Sequence, residues 1–204
     1  MEIKSVNTAE AKPRRRKLAQ PRNQLDRSDW IELAIDTLAK EGIGGLRIEL
    51  LAKNRGITKG SFYWHFRDRR DLLLAVLERW KEGRIQDIEK ITTTSPGNEV
   101  KQLQHAIDVY GASRNRKGMS IELAIRDWAR HDPEAASIVE QVDLYRLECT
   151  RRLFSAAGLS EADAKSRSLL LYACVFGLSL MFYNRFDDNI PGLKQNITDR
   201  ILSP

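Results

Sequence analysis

The chain has 204 residues, 42% apolar and 30% charged, with a formal net charge of +6. That length can bury a sizeable core, in one large domain or two small ones, and the composition is that of an ordinary soluble globular protein. A membrane protein is excluded on this reading: the longest mostly apolar run, residues 169–183, falls short of the roughly 20 residues that cross a bilayer, and the basic N-terminus lacks the apolar stretch of a secretory signal.

The positive charge is unevenly placed. Residues 1–80 carry 17 Lys and Arg against 11 Asp and Glu, whereas residues 81–204 carry 17 of each. All of the excess lies in the first half, which points to a polyanionic partner there. Much of it comes from Lys12, Arg14, Arg15, Arg16 and Lys17, which would also suit a solvated tail.

Residues 1–25 lack apolar periodicity and contain Pro13 and Pro21, so they read as a disordered basic arm. From Ser28 the pattern turns helical, with Trp30, Ile31, Ala34, Ile35 and Leu38 on one stripe. Asp29 and Glu32 are spaced as a capping box, and Gly42 ends the helix. A short helix over about 46–54 follows, closed by Gly56; a third starts at Thr58, whose hydroxyl can cap it, and lasts little more than two turns. Asp68 starts a long helix that buries Leu72, Leu73, Val76, Leu77, Trp80, Ile85, Ile88 and Ile91. Further helices are expected over about 98–113 and 119–130. Asp132-Pro133 marks the start of another, running to Ala157, and the next spans 160–185 from a Ser160 cap; 191–202 forms a last short one. No sustained period-two segment occurs. The expected fold is all-α: a three-helix helix-turn-helix unit (26–75) joined by a long helix to a helical body (76–204).

With only Cys149 and Cys174, and with His65, His105 and His131 far apart, no zinc site, disulfide framework or Ser-His-acid grouping stands out. No metal, no cofactor and no enzymatic activity are expected. The chemistry concentrates instead in the segment AKNRGITKGSFYWHFRDR, residues 52–69. Ser61, Trp64 and His65 share one helical face, while Phe62 and Phe66 pack inward. Gly60 lets the backbone approach a base edge or phosphate closely, the helix start presents free amides to an anion, and Tyr63 can donate to a phosphate while Trp64 lies against a thymine methyl or sugar. A plain bundle helix is the bland alternative. Four aromatic or histidine residues in a row, Phe62 to His65, argue against it, because a two-turn helix cannot bury every side.

ITKGSFYWHF, a basic segment and DLLLAVL, preceded by Lys-Glu-Gly, Leu-Leu-Ala and Gly-Ile, resemble the DNA-binding region of the TetR family of bacterial transcriptional regulators over roughly residues 28–80. The resemblance implies that Thr58, Ser61, Tyr63 and His65 hold phosphates, that Lys59, Gly60 and Trp64 face the bases, and that Arg69 stands where a phosphate-contacting lysine is usual. Three positions depart from the pattern. Arg47 replaces a common threonine and adds a charged phosphate contact; Arg55 replaces an alanine; and Glu49 replaces a frequent basic residue. Its carboxylate would be repelled by phosphate, accept from a cytosine amino group, or pair with a neighbouring arginine. The basic arm either threads the adjacent minor groove or remains an idle tail.

For the neutral half the resemblance implies a dimerising, ligand-sensing body. The helices near 133–157 and 160–185 should lie antiparallel. The second is apolar on most sides and so must be buried centrally or against a second copy. Tyr110, Met119, Trp128, Tyr172 and Phe176 are candidates to enclose an effector, each also suited to plain core. The absence of an evident buried charge set favours an apolar or aromatic small molecule. The expected function is a cytoplasmic homodimeric regulator, a repressor, that binds a pseudo-palindromic double-stranded DNA operator and is released by that effector. A DNA-binding architectural or adaptor protein on the same fold, without an inducer, is the alternative.

Overall fold

The computed structural model describes residues 25–93, 95–111 and 116–203; residues 1–24 of the basic arm lie outside them. Helix α1 (Arg27–Glu41) starts at Asp26, whose carboxylate accepts from the Asp29 backbone N–H at 2.8 Å while the Asp29 carboxylate accepts from the Asp26 N–H at 3.0 Å. The capping box therefore forms three residues before the expected Asp29–Glu32 pair, because Asp26 has the extended backbone of an N-cap. Leu25, the last residue of the expected arm, packs against the first core.

Gly42 closes α1 at φ 66°, and a 3-10 turn (Ile43–Gly45) follows. That turn delays helix α2 (Ile48–Arg55) by two residues relative to the expected start, since the Leu46 N–H donates to Ile43 O. Gly56, left-handed at φ 65°, turns the chain into helix α3 (Lys59–Tyr63). This helix is shorter than expected. Trp64 and His65 lie in the turn beyond it, held by N–H donation from His65 (2.9 Å) and Phe66 (3.1 Å) to Phe62 O. Thr58 is its N-cap by backbone, but its hydroxyl makes no capping bond.

Helix α4 (Arg69–Thr92) is capped by Asp68 and leads into α5 (Glu99–Gly111) and α6 (Arg116–Ala129). Helix α7 (Pro133–Ala156) starts at Asp132-Pro133 and α8 (Glu161–Leu180) at Ser160, both as expected. Helix α8 stops at Leu180, five residues short of the expected end, where Met181 turns extended. Helix α9 (Ile190–Leu202) follows, and the Arg167 guanidinium on α8 donates to the carbonyls of Ile201 and Ser203. Among the described residues every regular element is helical, and no helix is long and apolar enough to cross a membrane.

Among the described residues two hydrophobic clusters result. The first joins the head helices to the body: Trp30, Leu38, Leu51, Phe62, Phe66, Leu72 and Leu77 pack in one cluster with Ile125 and Trp128 of α6 and Ala135, Val139 and Val142 of α7. The second gathers Leu103 of α5, Leu153 and Phe154 of α7, Leu171 and Val175 of α8 and Ile201 of α9. Helix α7 thus contributes one half to each. The junction of head and body is further tied by Arg70 of α4, which pairs with Asp132 at 2.5 Å and with Glu134.

Asp132 also caps α7 through the Glu134 and Ala135 N–H groups at 3.0 and 3.1 Å. Arg70 holds its carboxyl well below the usual carboxylate range, with the Ala135 N–H adding to the effect. A depressed folded pKa means that this stability is fully present above the ordinary carboxylate pKa and is lost as pH falls toward the folded value. Asp132→Asn is therefore expected to be less stable than the wild type at neutral pH by about 1 kcal/mol. In denaturant titrations run from pH 7 to pH 3 that deficit should shrink; a deficit independent of pH would contradict the assignment.

Candidate nucleic-acid interface

Phe62 is the pivot of the reading segment. It is fully buried, edge-on to Trp30 at 5.3 Å and stacked on Phe66 at 5.2 Å. With these two rings inside, the short helix has to turn its other rings out: Tyr63 is 58% exposed and Trp64 84%. The Tyr63 ring leans edge-on against Phe62 at 5.2 Å, which braces it. The Arg27 guanidinium covers Phe66 at 4.8 Å from the ring centre.

Thr58, Lys59 and Gly60 are exposed at the start of α3, whereas Ser61 and His65 are half-buried. Among the described residues a Cβ on Gly60 would meet the Thr58 hydroxyl alone, at 3.7 Å, so no packing among them demands glycine there. Arg47, the N-cap of α2, is exposed. Lys59 reaches from α3 to α2, where its ammonium donates to the Glu49 carboxylate at 2.8 Å and holds that carboxyl below the usual range. Of the fates open to Glu49 in the sequence, the one within the chain is thus a pair with a lysine rather than an arginine. Arg69 turns back into the head: its Nε donates to Leu46 O at 2.6 Å and a terminal nitrogen to Ile43 O at 3.2 Å. Arg67, exposed beside it, was not singled out from the sequence; its side chain approaches Asp71 at 3.7 Å.

In the body, Met119, Tyr172 and Phe176 come together around a cavity of about 10 Å³, room for about one water. Trp128 is elsewhere, in the first core, and the side chain of Tyr110 lies outside the described residues. The premise of an apolar site needs correction, because the cavity walls include the buried pair Arg146 and Glu122. Glu122 accepts from Arg126 at 2.8 Å and from Arg146 at 3.4 Å, and Asp143 accepts from both arginines at 2.5 and 3.0 Å. The Phe176 ring lies 4.2 Å from the Arg126 guanidinium and 5.4 Å from that of Arg146. Arginines on α6 and α7 and acids on the same two helices carry no period that a sequence scan would flag.

Comparison with known proteins bears on the first of these sites. Residues 31–76 match the profile of the family described as "Bacterial regulatory proteins, tetR family". Over these residues the chain resembles the DNA-binding region of that family.

Two curated relatives agree over the same region. The HTH-type transcriptional regulator AcrR of Shigella flexneri is 27% identical over 85 residues, 41% of this chain and 39% of that protein. The class A tetracycline repressor protein from transposon 1721 of Escherichia coli is 42% identical over 55 residues, 27% of this chain and 26% of that protein. The chain therefore matches well under half the length of these relatives. Solved structures extend the likeness of fold to the body. A transcriptional regulator from Rhodococcus sp. Rha1 superposes with a TM-score of 0.68 at 18% identity, over 87% of this chain and 94% of that one. A regulator from Saccharomonospora viridis, solved with choline, gives 0.65 at 18% over 87% and 95%. At such identities the agreement is one of fold.

In this head, Arg69 has a structural task in addition to the phosphate contact that the resemblance implies. Arg69→Ala removes two charge-assisted donors from the carbonyls of Ile43 and Leu46 and is expected to destabilise the free protein by about 1–3 kcal/mol. Thermal unfolding without DNA is the measurement; an unchanged midpoint would leave Arg69 with a contact to the ligand alone.

Proposed function

We propose that the protein is a cytoplasmic homodimeric transcriptional regulator of the TetR type, acting as a repressor on a pseudo-palindromic operator. The observation that carries this reading is the exposure of Tyr63 and Trp64, 58% and 84%, on a segment whose other two rings are locked inside. A large indole left in water beside exposed cations is costly unless a partner covers it. A major groove does so, with Trp64 against base edges or methyls and Tyr63, Thr58 and Arg47 on phosphates. Ser61 and His65, half-buried, act on the backbone from the flank, Gly60 allows close approach, and Arg67 and Arg69 extend the phosphate track. The head, residues 26–75, reads DNA, and the body, residues 76–204, dimerises and senses.

A second copy would cover the open side of α8. Leu169 is 62% exposed, Leu170 48% and Leu180 62%, and Leu144 on the neighbouring α7 is 60% exposed. A helix apolar on most sides with one side uncovered fits a symmetric four-helix interface built from α7 and α8. Leu170→Glu, which points a charge at that interface, should convert the protein from dimer to monomer in sedimentation analysis and weaken operator binding; a dimer that survives would place the interface elsewhere.

The effector we propose is an aromatic small molecule with a polar group, taken between Tyr172, Phe176 and Met119 against Arg146 and Glu122. The cavity is too small to admit it without movement of α6 or α8, and that movement is the source of linkage: a ligand that binds only the opened body shifts the spacing of the two heads. Among fold relatives, FadR of Bacillus subtilis was solved with stearoyl-CoA. An inducer-free architectural role on the same fold is the second reading, favoured by the near-closed cavity.

Operator selection with the purified protein, followed by footprinting, separates the two. Discrete palindromic sites whose occupancy falls on adding an aromatic effector support the regulator, and scattered occupancy the architectural protein. Trp64→Ala should relax preference at one position by about 1–3 kcal/mol, whereas Tyr63→Phe should weaken all sites alike. Wild-type behaviour of both variants would move the groove contact away from Tyr63 and Trp64.

A further inference from the structure

Glu49 stands in the first turn of α2 and Lys59 is the first residue of α3, so their ion pair bridges the two helices of the helix-turn-helix on its exposed side. Their side chains are 60% and 55% exposed. An exposed pair of this kind contributes at most about 1 kcal/mol to stability, so the fold does not depend on it. Arg47, two residues earlier at the N-cap of α2, adds a second positive charge near the carboxylate. Glu49 is thereby neutralised by its neighbours, and an acid at this place does not prevent approach to DNA.

The separation of the two charged atoms, 2.8 Å, has a counterpart in DNA. In a C·G pair the major-groove edge sets the cytosine N4 amino donor next to the guanine O6 acceptor, and as Watson–Crick partners these atoms are about 2.9 Å apart. One N4 hydrogen and one O6 lone pair remain free in the groove. A carboxylate oxygen over N4 and an ammonium over O6 satisfy both while the ammonium keeps its bond to the carboxylate, because an ammonium has three donors and a carboxylate oxygen accepts more than one. Four atoms then alternate donor and acceptor in a ring. An A·T pair also sets a donor (N6) beside an acceptor (O4). There, however, the carboxylate would face the adenine N7 lone pair and the ammonium the thymine methyl, whereas guanine offers the ammonium a second acceptor at N7.

From this geometry, and resting on the DNA-binding reading above, we propose that Glu49 and Lys59 act as one preformed unit that reads a C·G base pair, Glu49 on the cytosine and Lys59 on the guanine. Glu49 is then a specificity-determining residue supplied by the scaffold helix. Because the pair forms before DNA arrives, the two long side chains are already ordered, and less conformational freedom is lost on binding.

The test is operator selection with the full chain as wild type, Glu49→Ala, Lys59→Ala and the double variant of the two, with thermal unfolding of each variant to establish that it folds. The wild type should select one C·G column per half-site. Glu49→Ala should lose the preference at that column and keep the others, and the double variant should be no worse there than either single one. Placing 2-pyrimidinone, which lacks the 4-amino group, at that cytosine should weaken wild-type binding about tenfold or more relative to its effect on Glu49→Ala. Two results overturn the proposal. Either Glu49→Ala retains the column, or it tightens binding to every sequence alike, which would make Glu49 only an electrostatic brake on Lys59. A wild type that selects no motif would instead remove the DNA-binding reading, and the proposal with it.

Discussion

Helix α7 is the member on which the other elements depend. Its first half closes the core that holds the head, through Ala135, Val139 and Val142, and its second half closes the core of α5, α8 and α9, through Leu153 and Phe154. Where one core gives way to the other it carries Asp143 and Arg146, which meet Glu122 and Arg126 of α6. Glu122 and Arg146 are buried and Arg126 and Asp143 half-buried, and a buried charge deprived of its partner costs several kcal/mol, so α6 and α7 are held in one register at that level. Movement of either helix there has to disturb the network, the small cavity beside it, or both.

The same helices reach the head. Helix α6 carries Glu122 and Arg126 toward the cavity and Ile125 and Trp128 into the core shared with Trp30 and Phe62. Asp132, at the start of α7, holds Arg70 of α4. The reading segment is therefore mounted on the body through apolar packing and ion pairs, Arg70 with Asp132 and Glu134 and Arg79 with Glu32, with Phe62 as its buried anchor. Tyr63 and Trp64 project from that anchor, and their position follows from what Phe62 and Phe66 bury.

Much of this was legible in the residues. The aromatic run, the glycines at 42 and 56, and the Asp132-Pro133 and Ser160 signals located most helices to within a few residues, because capping and left-handed turns are short-range chemistry. The misses are also local in origin. The 3-10 turn at Ile43–Gly45 has no hydrophobic period to announce it, and α3 ends before Trp64 because the chain must turn there to bury Phe66. In the body, Met119, Tyr172 and Phe176 were legible as large groups and do meet, whereas Trp128, equally large, packs against the head; size alone did not separate them.

The sequence by itself determined the all-α architecture, the place of the reading segment and its division into buried Phe62 and Phe66 and outward Tyr63 and Trp64, since these follow from periodicity and from a helix too short to hide every ring. Only the tertiary structure decided which charges meet. That Lys59 holds Glu49, that Arg69 serves the carbonyls of Ile43 and Leu46, and that Arg146 and Glu122 are buried together all depend on how separate helices cross. A charged side chain carries no sequence period that reveals its partner, and the geometry of packing chooses it.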